Sequence, residues 1–319
     1  MQKNEQKPLI VLTGPTAAGK TRLSIALARA VGGEILSADS MQVYRGMDIG
    51  TAKITAQEME GIPHHLIDIL PPKEEFNVVR FQALAREAME GIYARGKIPV
   101  IVGGTGFYIQ AVTNAVDFTE SDTDTALREE LFAYAQKHGA AKLHKRLAAV
   151  DPQAAAQIHE NNIKRTIRAL EYHAQTGGRI SEHNEEQAGH ISPYELYYFV
   201  LTAPRDILYQ NINRRVDEMM EMGLPAEVAR LKEEGCTRGM VSMQGLGYKE
   251  LFAYLDGELT RKEAAEQIKQ NTRHFAKRQL TWFKREKQVI WVDKAEYGFD
   301  EEKILAAVLE HLPERLRRY

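Results

Sequence analysis

Leu9-Ile10-Val11-Leu12-Thr13-Gly14-Pro15-Thr16-Ala17-Ala18-Gly19-Lys20-Thr21 joins four apolar, β-prone residues to a GxxxxGKT loop, and Ser24, Ile25, Leu27, Ala28 and Val31 follow at helical spacing. Strand, glycine-rich loop and helix in that order are the setting that a phosphate-gripping P-loop requires. Gly14 and Gly19 let the backbone turn tightly enough to aim N–H groups inward, and the first turn of the helix adds unpaired donors and the positive end of its dipole. A diphosphate site is expected over Gly14, Pro15, Thr16, Ala17, Ala18, Gly19, Lys20 and Thr21. Lys20 should reach the terminal phosphates, and the Thr21 hydroxyl should bind a bridging Mg²⁺. The loop does not specify which phosphates, since ATP, GTP and a prenyl diphosphate present similar oxygens.

Outward from this loop, apolar runs at Glu34 to Ala38, His65 to Leu70 and Ile98 to Val102 alternate with helical patterns. Between the last two runs, Val78, Val79, Phe81, Leu84, Ala85, Ala88, Met89 and Ile92 share one helical face. The βαβα order predicts an α/β fold with a P-loop NTPase-like parallel sheet covered on both sides. After a short helix the pattern changes near Val116, and only helical patterns follow until Tyr194 to Leu201. Residues 116–193 therefore read as an all-helical insertion domain between a first core part, 1–115, and a second, 194–319, whose last strand lies near Val289 to Val292.

The totals fit a soluble globular chain: 319 residues, 44% hydrophobic, 27% charged, with a formal net charge of −2. That balance excludes a globally basic nucleic-acid binder and leaves only local basic surfaces. One cysteine, Cys236, excludes an internal disulfide and a Cys-rich zinc module, and reads as a plain thiol near a turn. Met1 to Pro8 is polar, and no stretch has the length of a membrane span, so a cytoplasmic protein without membrane association is expected.

Asp39-Ser40-Met41-Gln42-Val43-Tyr44 directly follows the second apolar run. Residues just past the carboxyl end of a parallel strand face the same crevice as the P-loop. A carboxylate at Asp39 could take a proton from an incoming nucleophile, or could simply cap a turn. Spacing leaves both open.

Together with the GPTAAGKT loop and DSMQVY, the strings Met47-Asp48-Ile49-Gly50-Thr51-Ala52-Lys53, His64-His65-Leu66-Ile67-Asp68 and Gly103-Gly104-Thr105-Gly106-Phe107-Tyr108 resemble the tRNA dimethylallyltransferase (tRNA isopentenyltransferase) family in its bacterial form. The likeness continues through Arg215-Val216-Asp217-Glu218-Met219, Gly245-Leu246-Gly247-Tyr248-Lys249 and Lys277-Arg278-Gln279-Leu280-Thr281-Trp282. It implies transfer of a dimethylallyl group from dimethylallyl diphosphate to the N6 amine of the adenosine 3′ of the anticodon, in tRNAs reading codons that begin with U. Under that resemblance Lys20 and Arg215 clamp the departing diphosphate and Asp39 is the base. Asp39, Ser40, Met41, Gln42 and Thr105 would surround the adenosine, and a monomer is expected.

A base in a folded loop must be extruded before its N6 can react, so RNA-gripping surfaces are needed. Lys269 to Lys287 holds seven Lys or Arg residues against one acid, Glu286. On a helix, Ala276, Leu280 and Phe283 form an apolar stripe, and Arg273, Lys277 and Lys284, with Arg278 and Arg285 beside them, a basic face for phosphates. Phe275, Trp282 and Phe283 read as core. Lys164-Arg165-Thr166-Ile167-Arg168 corresponds to a tRNA-contacting stretch of the family. In Gln244-Gly245-Leu246-Gly247-Tyr248-Lys249, two glycines would let a backbone approach RNA closely.

The His64-His65 pair cannot direct both rings to one metal from a strand, because neighbours point to opposite faces. His138, His144, His159 and His173 read as exposed helical residues, and Met41, Met219, Met220 and Met222 as packing. A small-molecule kinase also pairs a P-loop with an Asp after the second strand, but a short Arg-rich lid is missing and the long helical insertion is foreign to it. An RNA-binding nucleotide switch, with Asp39 holding metal or water, has no feature in its favour.

Overall fold

Six parallel strands form one sheet in the order β3-β2-β4-β1-β5-β6 in the computed structural model, which describes residues 6–116, 125–188 and 192–318. The strands are β1 (Pro8–Thr13), β2 (Gly33–Ala38), β3 (His64–His65), β4 (Ile98–Gly103), β5 (Glu195–Thr202) and β6 (Ile290–Asp293). The polar start at Met1 to Glu5, and the parts of the expected helical insertion at 117–124 and 189–191, lie outside the described residues. Chain alternation sends Leu9 and Val11 of β1 to one face, with Leu36, Ile101 and Val200. It sends Ile10 and Leu12 to the other, with Leu23, Leu27, Phe199 and Leu201. A strand covered on both faces needs the continuous apolar run seen here.

In chain order the helices of the sheet unit begin with α1 (Lys20–Val31), α2 (Val78–Ala94) and α3 (Gly106–Thr113). Asn77 caps α2 by accepting from Arg80 N at 2.9 Å. Phe81, Ala85, Met89 and Ile92 of α2 are buried, but Val79 is exposed; its position turns it off the apolar face that the spacing assigned to it.

Compactness divides the chain into a unit running to Thr113 and resuming at Pro193, and a second unit, Asn114–Ser192. The second unit contains α4 (Thr125–His138), α5 (Ala140–Val150), α6 (Pro152–Gln157), α7 (Ile163–Thr176) and α8 (Ile180–Ala188). Leu131, Ala135, Leu143 and Ile167 form one small core, and Leu147, Ala154, Ala155 and Ala169 another. Asp151 caps α6 by accepting from Ala154 N at 2.9 Å, and also takes the Ser181 hydroxyl at 2.7 Å. His144 is half-buried rather than exposed, with Nε2 against the carbonyls of Ala155 and Ile158 at 3.1 and 2.7 Å. His173 is likewise half-buried, with Nδ1 3.0 Å from Gly178 O.

Beyond β5 the sheet unit continues with α9 (Arg205–Glu221), α10 (Leu224–Glu233), α11 (Tyr248–Leu255), α12 (Arg261–Phe283) and, after β6, α13 (Glu301–Glu310). A capping box starts α12, in which Thr260 accepts from Glu263 N at 3.2 Å while the Glu263 carboxylate accepts from Thr260 N at 2.8 Å.

The run His65 to Leu70 does not continue as a strand. Leu66 and Asp68 adopt positive φ of 64° and 54°, which breaks the extended backbone after His65. The reason lies in Lys53, whose buried ammonium bonds Tyr44 O at 2.7 Å, Asp48 at 2.7 Å and Asp68 at 2.5 Å, bending 66–68 toward 47–53. The same segment is held from the opposite side by buried Glu227. Its carboxylate accepts from Asp48 N at 2.9 Å, Ile49 N at 2.8 Å, Gly50 N at 3.2 Å and Tyr248 Oη at 2.7 Å. Glu227→Ala strands four donors and should cost on the order of 3 kcal/mol. Glu227→Gln, retaining one amide oxygen as acceptor, should fall between it and the parent in urea midpoint.

Candidate active site

β1, β2 and β4 end at one level, with Thr13 paired to Gly103 and Gly103 to Ala38, so their loops leave the sheet side by side. No side chain fits at two of these exits. A Cβ on Gly14 would stand 2.2 Å from Leu201 O, and one on Gly103 2.4 Å from Ala38 O. Gly19, at φ 86°, caps the N-terminus of α1 in the left-handed region. Inside the loop, Lys20 Nζ donates to Gly14 O at 3.0 Å and Pro15 O at 2.8 Å.

The P-loop is clipped to its neighbour by a residue that the sequence reading passed over. Gln279 of α12, buried, accepts from Thr16 N at 2.9 Å and donates to Gly104 O at 2.9 Å. Thr16 N is thus engaged inside the protein, and Ala18 N is 3.3 Å from Pro15 O. The donors left for an anion are those on Ala17, Gly19, Lys20 and Thr21, all of which line the cavity described next. Gly14, Pro15 and Ala18 do not line it: they are buried and shape the loop, and Pro15 has no N–H to offer.

A cavity of about 420 Å³ opens over the carboxyl end of the sheet. Asp39, Ser40, Met41, Gln42, Thr105 and Arg215 border it together with the loop. Asp39 does cap a turn: Oδ1 accepts from Met41 N at 2.8 Å and Gln42 N at 3.4 Å. Oδ2 makes no hydrogen bond among the described residues and is available for chemistry. Burial raises the Asp39 carboxyl above its ordinary range, partly offset by the two N–H donors and by Lys20. Lys20 is pushed down to about 7, mainly by burial and further by Arg215, with Asp39 opposing. Burial also lowers Arg215. Two crowded cations and a carboxylate, all half-buried in one cavity, make a place where an anion is favoured.

The remaining residues sort unevenly. Gln42 spends its amide on Ser37 Oγ at 3.0 Å and Thr51 O at 3.2 Å, tying DSMQVY to 47–53. Gln244, Gly245, Leu246, Gly247, Tyr248 and Lys249 all border the cavity, yet Gly245 and Gly247 are buried. A Cβ on Gly245 would lie 3.1 Å from Met41 Sδ, and Gly247 has φ 92°, so the glycines serve close packing and a turn rather than an open RNA-facing backbone. On α12, Ala276 and Phe283 are buried and Leu280 half-buried, as the stripe predicts, and Lys277, Arg278, Lys284 and Arg285 are exposed. Arg273 instead donates to Asn213 Oδ1 at 2.6 Å. Arg278 reaches the cavity, Lys277 does not, and Phe275 lines it rather than joining the core. Met222 is exposed and so is not packing.

In the helical unit, Lys164 and Arg165 are exposed and Arg168 half-buried. Thr166 and Ile167 are buried, Thr166 donating to Asn162 O at 3.1 Å, so their side chains cannot meet RNA. His65 Nε2 lies 2.8 Å from Glu34, and His64 Nδ1 2.8 Å from Ile62 O, so each ring has its own partner. Cys236 is buried and burial pushes its thiol up. Sequence reasoning missed Gln279 and Glu227 as site-organising residues; the Gln within Arg278-Gln279-Leu280-Thr281-Trp282 was the one available sign of the first.

Comparison with known proteins shows the family. A model described as IPP transferase matches residues 42–286, and one described as isopentenyl transferase matches 7–69. A tRNA dimethylallyltransferase of Lachnoclostridium phytofermentans is 60% identical over 309 residues, 97% of this chain and 98% of that protein. The Bacillus subtilis tRNA dimethylallyltransferase is 52% identical over 91% of this chain and 92% of its own. The crystal structure of the full-length tRNA isopentenylpyrophosphate transferase of Bacillus halodurans superposes with a TM-score of 0.70 at 46% identity, covering 96% of this chain and 97% of that one. A eukaryotic dimethylallyltransferase acting on tRNA gives 0.78 at 32% identity, over 90% of this chain and 74% of that one. Its P-loop NTPase-like sheet, its cavity motifs and these matches place the chain in the IPP transferase family, the tRNA dimethylallyltransferases.

Proposed function

We propose that the protein moves a dimethylallyl group from dimethylallyl diphosphate to the N6 amine of the adenosine 3′ of the anticodon, in tRNAs reading codons that begin with U, releasing diphosphate. The observation that carries this reading is the meeting of Lys20, Arg215 and Asp39 in one cavity at the end of the sheet. The N6 amine is a weak nucleophile, so reaction depends on stabilising the diphosphate as its bond to the allylic carbon breaks. Lys20, Arg215 and the free loop N–H groups take up that charge. As the new N–C bond forms, Asp39 accepts the N6 proton. Family membership sets the kinase reading aside.

The Thr21 hydroxyl is a hard oxygen donor bordering the same cavity, and it suits Mg²⁺. Among the described residues no group of three or more His, Cys, Asp or Glu side chains is placed to hold a metal, so phosphate oxygens and water would complete the shell. Bound there, Mg²⁺ would neutralise part of the diphosphate charge. No helix of the described residues is long and apolar enough to cross a membrane. The proposal includes a cytoplasmic monomer, with Lys164, Arg165, Lys277 and Arg278 offering cations to tRNA phosphates.

Incubating the protein with Mg²⁺, labelled dimethylallyl diphosphate and unmodified tRNA should yield labelled N6-dimethylallyladenosine, and Lys20→Ala should abolish it. ATP turnover without prenyl transfer would overturn the reading. Asp39→Ala should slow the chemical step by about a hundredfold or more with tRNA affinity retained. The pH profile follows from the two shifts. Asp39 works deprotonated, so the rate falls as pH drops through its raised pKa. Lys20 captures diphosphate as ammonium, so kcat/KM for the donor falls as pH rises past about 7. Asp39→Asn should remove the acid limb and keep the alkaline one. Lys277→Ala should weaken tRNA binding evenly across sequences and reduce the salt slope by about 1; an unchanged slope would return that residue to a solvated surface.

A further inference from the structure

A second cavity, of about 260 Å³, lies on the outer flank of the P-loop. Gly19, Arg214, Arg215, Glu218, Lys294 and Phe299 are among its walls. Gly19 and Arg215 border both cavities, so the loop is a thin partition with cations on each side. We propose that Lys294 is a diphosphate-binding residue, a second ammonium acting on the P-loop from this outer cavity, and that Glu301 positions it. The inference rests on the prenyl-transfer reading only for the identity of the donor; the ligand chemistry it requires is a diphosphate.

The contacts, burial and charges around Lys294 carry it. Lys294 Nζ would touch a Cβ built on Gly19, at 2.9 Å, so the ammonium sits against the residue that starts α1. The side chain is only 11% exposed, so water does little to offset its charge. Its one hydrogen bond among the described residues is to Glu301 Oε1 at 2.6 Å, leaving two of three N–H donors for another partner. Glu301 Oε2 is buried without a partner among them, although the Glu301 side chain as a whole is half-buried, so this oxygen gives up water without gaining a hydrogen bond. A pair built only to staple β6 to α13 gains little from such a place. Around the cavity the charges are Arg214, Arg215 and Lys294 against Glu218, which lies 3.6 Å from Arg214. The positive helix end at Gly19 adds to this excess. Glu301 and Glu218 offset Lys294 and Arg214, so the excess of positive charge centres on Arg215 and the helix N-terminus, and the β-phosphate of a diphosphate seated on the loop would draw on it and on the two spare donors of Lys294.

The test is calorimetric binding of inorganic pyrophosphate in Mg²⁺ buffer, alongside its product inhibition of transfer. Lys294→Met should weaken pyrophosphate binding about tenfold and raise the donor KM, with the KM for tRNA unchanged. Lys294→Arg should restore most of the affinity. Glu301→Gln should weaken binding by a smaller factor, because Lys294 remains but is no longer held. Thermal unfolding of each variant separates lost binding from lost fold. Pyrophosphate affinity and donor KM equal to the parent in a folded Lys294→Met protein would overturn the proposal and leave a structural ion pair. If the parent binds pyrophosphate but transfers no prenyl group, the prenyl reading fails and the binding series still decides the role of Lys294.

Discussion

The end row of the sheet constrains everything above it. Thr13, Gly103 and Ala38 lie side by side in parallel register, and Thr13 Oγ donates to Gly103 O at 2.7 Å across the row. Because β2, β4 and β1 finish together, the P-loop, the Asp39 turn and the Gly103-Gly104-Thr105 turn all begin from one edge. The backbones approach so closely that Gly103 has no room for a side chain against Ala38, and Gly14 has none against Leu201 of β5 on the other side of β1. The order of strands puts β4 between β1 and β2, which opens a crevice where consecutive connections diverge. Asp39 therefore reaches the phosphate loop although it follows a strand that does not pair with β1.

Electrostatics then give this edge its chemical character. Lys20, Arg215 and Asp39 are each drawn toward neutrality by burial, and none is fully compensated by the others. Such a site is costly in isolation and becomes favourable when a polyanion enters, because the anion returns Lys20 to its charged state. The same burial that makes Asp39 a stronger base than a surface carboxylate also makes its protonation easier. Its turn-capping hydrogen bonds counter this by stabilising the ionised form through Oδ1, while Oδ2 stays available. Capping and catalysis are thus compatible within one side chain.

Much of this was legible from local sequence. A P-loop announces itself because strand, glycine turn and helix are contiguous, and Asp39 follows its strand directly. What was not legible depends on distant partners. Gln279 lies 263 residues from Thr16, and Glu227 lies 177 to 179 residues from the three N–H groups it holds. Neither a buried glutamine nor a buried glutamate has any periodic signature. The run His65 to Leu70 misled for a similar reason: its apolar composition suits a strand, but Lys53, from an earlier segment, bends it. Thr166 and Ile167 were grouped with their basic neighbours by adjacency, whereas on a helix adjacent residues point different ways, and these two point inward.

Helix α12 ties the phosphate end of the site to its surface. Gln279 on its buried side bonds both Thr16 N and Gly104 O, while Lys277 and Arg278 immediately precede that glutamine in sequence and are exposed. Over two residues a helix advances only about 3 Å, so a phosphate gripped at Lys277 is held at a nearly fixed offset from the P-loop. Phe275 and Arg278 of the same helix both border the cavity. Under the proposed function, a rigid element that carries the loop clip, the cavity wall and the exposed cations would convert where the RNA backbone lands into where an extruded base stops relative to Asp39. Positioning of this kind matters because the reacting nitrogen and carbon must come to within about 3.5 Å before charge stabilisation can act.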